Sequence, residues 1–356
     1  VRLADYRPRS QLRLPIHEVA RPAHPVIDAH NHLGPVFGGG WAERSPAELA
    51  DALDESGAEV LVDLDGGQGD ELGRHLDRWV GPHPGRVVVF AGLAYDAWST
   101  DARFGDTEAR ELRRSVERGA RGLKVWKVLG LRARDPSGRL VPVDDPRLDP
   151  LWATAGELGI PVTIHVADPI AFFRPLDGTN ERFEELTAHP DWHFWPPRAR
   201  NDPDAPGFPT FDELLAGLDA VLGRHPGTTF IGAHVGCAPE DLALVSSMLE
   251  RHPSFHVDIA ARLAELGRQP YGARAFFLRW SDRIVFGTDL GVHPAVYRLH
   301  YRFLETADES FDYSIEPAPP QGRWQVHGLA LPHDVLRQVY RDNARRLLGL
   351  GPAAPG

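Results

Sequence analysis

Cysteine is nearly missing from this 356-residue chain: Cys237 stands alone, so no disulfide can form within it and packing must hold the fold in either redox compartment. Long apolar runs are missing too. None approaches the roughly 20 residues of a membrane-spanning helix, which excludes a membrane protein. Positive charge is scarce, with 39 Lys and Arg against 50 Asp and Glu and a net charge of -11, so counterion release cannot drive binding to nucleic acid. A small-molecule substrate is the expected partner. Repeats and heptads are absent, and residues 1–25 contain no apolar signal core, which leaves the compartment open with the cytoplasm favoured. Lysine is the sharpest deficit. Only Lys124 and Lys127 occur, and every other basic side chain is arginine.

What is present is an alternation. Short β-branched runs at Val26 to His30, Val60 to Asp63, Val87 to Ala91, Gly122 to Val128, Val162 to His165, Thr229 to His234, His256 to Asp258 and Ile284 to Gly287 are separated by helical patterns. Examples of these are Pro46 to Ser56 behind a Ser45 cap, Asp212 to Leu222 and Pro239 to Glu250. Such βα units predict an α/β fold, a (β/α)8 TIM barrel occupying residues 26–350 as one domain, with an N-terminal arm (1–25) and a flexible tail (351–356). Two βα loops are long, Ala167 to Thr210 after the fifth strand and Gly291 to Pro332 after the eighth. Both should roof the face where barrel active sites sit. Phe172, Phe173, Trp192, Phe194 and Trp195 in the first either line a pocket or pack within the loop or against a subunit.

The run Val26-Ile-Asp-Ala-His-Asn-His32 ends a strand with two imidazoles two residues apart, which places both on one face as a metal clamp. Further donors end other strands: His165 the fifth, His234 the sixth and Asp289 just past the eighth. All converge on one rim. His83, His225 and His252 each precede Pro and lead into a strand, so they read as turn residues on the opposite face. Both lysines fall in Gly122-Leu-Lys-Val-Trp-Lys127 on the fourth strand, where an amine can lose its proton or form a carbamate and a guanidinium cannot. Alternation along a regular strand lets one of them face the site, and Lys124 is preferred.

His30-X-His32, Lys124, His165, His234 and Gly287-Thr-Asp289, in this order along Val26 to Leu348, resemble the amidohydrolase superfamily. The first segment and Phe230-Ile-Gly-Ala-His234 are most similar to the amidohydrolase-2 branch, which includes aminocarboxymuconate-semialdehyde decarboxylase and related lactonases and hydrolases. The resemblance implies that His30, His32, His165 and Asp289 hold a divalent ion, usually zinc, and that His234 polarises substrate or moves a proton. Decarboxylase-like members lack a metal-binding lysine on the fourth strand, so Lys124 raises a second possibility: a carboxylated lysine bridging two ions.

The expected reaction is hydrolysis of an amide, lactone or related carbonyl bond by metal-bound hydroxide, with Asp289 as base and His234 at the oxyanion. The alternative on the same metal site is nonoxidative decarboxylation or hydration of an unsaturated or aromatic acid. It would need a substrate carboxylate held by Arg262 or Arg268; Trp126 joins these as a substrate-binding candidate. A noncatalytic binding protein is disfavoured by the complete ligand set. Asp28 either orients a ligand or is a buried structural carboxylate. Gly34 to Gly40 reads as a loop at the mouth, Cys237 as a small buried turn residue, and a homo-oligomer is expected of such barrels.

Overall fold

Strands buried on both faces need no polar side, and eight such runs form in chain order: β1 (Val26–Asn31), β2 (Ala58–Asp63), β3 (Val87–Val89), β4 (Leu123–Val125), β5 (Val162–Ile164), β6 (Phe230–Gly232), β7 (Phe255–Asp258) and β8 (Ile284–Val285). These come from a computed structural model that describes residues 2, 6, 10–199, 206–316 and 320–351. Every pairing between them is parallel. The ladder does not run unbroken around the barrel: β1 to β3 make one sheet and β4 to β8 another. A few backbone hydrogen bonds span each of the two seams. Ala91 N–H donates to Gly122 O (2.9 Å) and Lys124 N–H to Ala91 O (2.7 Å) between β3 and β4. Ala29 N–H donates to Phe286 O and Asp289 N–H to His30 O, both at 2.9 Å, between β1 and the β8 segment.

Alternate residues of the strands supply a second, smaller apolar cluster of Ile27, Val60, Val62, Val88, Phe90, Ile231 and Val285. Strands that are not sheet neighbours meet in it, so it fills the barrel interior, and Ala344 and Leu348 join it from the C-terminal segment. Gly122 makes room there: a Cβ at this position would lie 2.3 Å from the Phe90 ring. The larger cluster joins the remaining strand residues to the surrounding helices.

Helix Pro46–Ser56 forms over the predicted residues, with Ser45 and Glu48 in a reciprocal capping box. The other two predicted helices appear as Phe211–Arg224 and Leu242–Arg251, the second starting late because Asp241 caps it. His225 and His252 terminate those helices and bond Asp149 and Asp219, as expected of residues on the face away from the site.

Of the predicted insertions, residues 200–205 and 317–319 lie outside the described residues. Phe172, Phe173 and Phe194 are buried in the larger core, where Phe194 packs on Phe173 and Phe208 and Phe173 on Phe211. Trp195 is more than a third exposed. The N-terminal arm is fastened to the turn after helix Pro294–Glu305, where His17 N–H donates to Asp308 (2.9 Å), and to that helix itself, where Ala23 N–H donates to Glu305 (3.0 Å). All of the predicted tail except Gly351 lies outside the described residues. Among the described residues no helix is long and apolar enough to cross a membrane.

Candidate metal centre

Three imidazoles converge on one carboxylate. Asp289 Oδ1 lies 3.1 Å from His32 Nε2 and 3.8 Å from His30 Nε2, and Asp289 Oδ2 lies 3.7 Å from His234 Nε2. The loops delivering these groups are held in left-handed conformation at non-glycine residues: His234 (φ 57°), Val235 (60°) and Cys237 (66°) after β6, Ala261 (53°) after β7, and Asp289 (55°) after β8. Each costs of order 1 kcal/mol or more, so surrounding contacts must impose the geometry. Gly287 serves the same end, since a Cβ there would lie 2.8 Å from His30 Cβ.

Carboxylates fix the rings. His30 Nδ1 bonds Asp258 (2.8 Å) and His32 Nδ1 bonds Asp65 (2.7 Å), which leaves both Nε2 atoms toward Asp289. His165 is fixed the other way round, with Nε2 3.3 Å from Asp168, so Nδ1 is its remaining donor. The other oxygen of Asp258 accepts the backbone N–H of His234 (2.8 Å), tying β1 and β6 through β7. None of Asp65, Asp168 or Asp258 was assigned a role from sequence. The available signal was an acidic residue near the end of a strand, which alone does not reveal its imidazole partner.

His30, His32 and Asp289 form a group whose donor atoms lie within 4.8 Å of one another, and His30, His234 and Asp258 form a second. Two imidazole nitrogens and a carboxylate oxygen, each imidazole held through its other nitrogen, suit a divalent cation. His165 is outside both groups, although its ring stands edge-on to His234 at 4.5 Å.

Burial makes neutral nitrogen donors of His30 and His165, whereas two carboxylates favour the charged form of His32. Burial, then the Lys124 charge, holds His30 well below its ordinary value, and burial brings His165 down to about 4. Burial opposes the charge on His32 as well, but hydrogen bonds to Asp289 and Asp65 outweigh it and push it up to about 9. The imidazoles keep the Asp289 carboxyl well below the usual range despite its burial. His234 is lowered by burial and then by the Arg262 charge; with Nδ1 bonded to Ala260 O (2.8 Å), it presents Nε2 as a lone pair.

Lys124 is fully buried, with Nζ 3.3 Å from His30 Nε2, and burial lowers its pKa. Lys127 turns instead to Asp168, the partner of His165, beside the donor groups rather than in them. Strand β4 ends at Val125, so strict alternation no longer applies at Lys127. Trp126 walls the site, stacked on His32 (ring centroids 5.1 Å) and covered on the loop side by Phe37 (5.3 Å).

Arg268 does not join this group. It forms a two-point pair with Glu181 (2.9 and 3.2 Å) and lies over Trp324, the surface salt bridge that its helix position allows. Asp28 acts as a structural lock, accepting from Tyr297 (2.6 Å), Thr288 (2.7 Å) and Asn31 (2.9 Å). Cys237 is buried, and its thiol is pushed up to about 11, which makes it a poor nucleophile.

A sequence model of the amidohydrolase family matches residues 27–350. The chain belongs to the amidohydrolase family. No curated protein sequence matches this amidohydrolase. Its fold is shared with 2,6-dihydroxybenzoate decarboxylase complexed with 2,6-dihydroxybenzoate (TM-score 0.56, 17% identity, 92% of this chain and 100% of that one). It is also shared with an uncharacterized TIM-barrel protein from Bordetella bronchiseptica (0.54, 14%, 91% and 98%) and an amidohydrolase from Burkholderia multivorans with bound HEPES (0.52, 14%, 92% and 99%). The alternating strand and helix order and the metal-type donor cluster agree with that family, whose members are metal-dependent enzymes.

Proposed function

We propose that this amidohydrolase is a metal-dependent hydrolase cleaving an amide, lactone or related carbonyl bond of a small molecule. The observation that carries the reading is the convergence of His30, His32 and His234 on Asp289. His30, His32 and Asp289 would hold a divalent ion, zinc suiting the N,N,O set, with His165 adding Nδ1 and Lys124 a further ligand once neutral or carboxylated. Such an ion, when bound, acidifies water and polarises a carbonyl.

The side chains supply the rest. Asp289 takes the proton from the attacking water and returns it to the leaving group. His234, its ring fixed through Nδ1, shares that same proton: it receives it from Asp289 at Nε2, steadies the negative oxygen of the tetrahedral stage in that form, and gives it back for the leaving group. Trp126 gives the substrate a flat apolar wall. A second reading, nonoxidative decarboxylation or hydration of an unsaturated or aromatic acid, is favoured by the buried Arg262 beside this site.

One experiment separates them. Metal-loaded protein is offered lactones, amides, and unsaturated or aromatic acids while acid release and carbon dioxide release are followed in parallel. Acid release that disappears in Asp289→Ala supports hydrolysis. Carbon dioxide release from the acids, with lactones and amides untouched, replaces it with decarboxylation.

A further inference from the structure

A cavity of about 150 Å³ is enclosed by helix Pro294–Glu305, the segments that follow β7 and β8, and the loop around Tyr313. Leu263, Leu290, Val296, Leu299 and Ile315 give it a mainly aliphatic lining, and none of His30, His32, His165, His234 and Asp289 reaches its wall. Two of its wall residues adjoin that cluster all the same: Ala261 follows the residue whose carbonyl holds His234, and Leu290 follows Asp289. Leu290 and Ile315 are about half exposed and form a rim, so an occupant can enter from solvent without passing the metal-type cluster.

Most polar side chains on the wall are already engaged. Tyr313 O–H donates to Gly322 O (2.9 Å) and accepts the N–H groups of Gln321 and Gly322, the Gln321 side chain donates to Ala261 O (3.1 Å), and Ser314 Oγ accepts Glu316 N–H (3.1 Å). Glu316 is exposed. His300 differs. It is buried, and its Nδ1–H donates to Val296 O one turn back on its own helix (2.8 Å), which leaves Nε2, on the other edge of the ring, as a buried lone pair with no hydrogen-bond partner. Burial holds this imidazole down at about 4, so at neutral pH it is uncharged and accepts. A buried acceptor left unpaired costs free energy that a donor restores.

We propose that the cavity binds a small aliphatic alcohol, its carbon frame against Leu263, Val296 and Leu299 and its hydroxyl donating to Nε2 of His300. An engineered cavity of this volume lined by Leu, Ile and Phe takes up benzene, so a molecule of about six heavy atoms fits. The lining selects an apolar body, and the lone pair selects a donor over an acceptor of the same size. The site is separate from the proposed reaction and stands whichever bond the enzyme cleaves.

The test is a methyl NMR titration of the full chain with cyclopentanol and with tetrahydropyran, an isomer of the same atoms that accepts hydrogen bonds and donates none. Wild type should show saturable shifts at Leu263, Val296 and Leu299, with cyclopentanol bound roughly fivefold more tightly, the worth of one neutral hydrogen bond. Leu299→Trp, which fills the cavity from a half-buried position, should abolish saturation by both isomers. His300→Phe keeps a ring in place and removes the lone pair, so it should bind the two isomers equally. Equal binding of the isomers by wild type would reduce the cavity to an unselective apolar void. That result, no saturable shift in wild type, saturation that survives Leu299→Trp, or a cyclopentanol preference that survives His300→Phe would each overturn the proposal.

Discussion

The side-chain amine of Lys124 lies 3.3 Å from Nε2 of His30, the atom His30 would offer a metal. An ammonium and a divalent cation cannot share that space. Lys124 must therefore be neutral or carboxylated whenever a metal is held, and complete burial already pushes it toward the neutral form.

Lys124→Met keeps the length and removes the amine. In bicarbonate-containing buffer, wild type should hold about two ions per chain and the variant one or fewer, the pattern expected when a carboxylated lysine joins the ligands. One ion in both, by elemental mass spectrometry, would take Lys124 out of the ligand set.

Asp258 holds His30 by its side chain and His234 by its backbone. Groups that orient metal ligands typically contribute 10–100-fold to affinity. Asp258→Asn should weaken metal binding by about that factor in a competition titration with a chelating dye, while circular dichroism stays unchanged. Unaltered affinity would make Asp258 merely a loop anchor.

Two buried histidines away from the site, His256 and His300, are each lowered to about 4 by burial, from an ordinary 6.5. Between those values the unfolded chain binds protons that the folded chain does not, so stability rises with pH. Their contribution, of order 3 kcal/mol for each, is complete above 6.5 and is lost as pH falls toward 4. Replacing both with glutamine should flatten the Tm profile across that window relative to wild type. An unchanged slope would contradict it.

The capping box of Ser45 and Glu48 predicts a smaller effect. Ser45→Ala should cost about 1 kcal/mol in chemical denaturation, read as a lower midpoint at constant slope.

Much of this was legible in the chain because strand ends carry chemistry in barrels. His30, His32, His234 and Asp289 each lie at or just past a strand of the right parity or order, and they meet. Other features depend on loop geometry that no period reports. Lys127 reaches Asp168 because β4 stops two residues earlier, and His165 turns Nε2 toward that same Asp168. The sequence offers Arg262 and Arg268 alike as partners of a substrate carboxylate. Only the packed structure shows Glu181 pairing with Arg268, while Nη1 of Arg262 donates to Ala261 O. The left-handed turn through His234 and Val235 was also hidden, since neither residue favours it and tertiary bonds impose it.

The central claim is that His30, His32 and Asp289 hold a metal. Elemental mass spectrometry on wild type, His32→Ala and Asp289→Ala, each reconstituted with zinc and desalted, tests it most directly. The account predicts at least one ion per chain in wild type and a large loss in both folded variants. No retained metal in wild type, or equal content in all three, would contradict it.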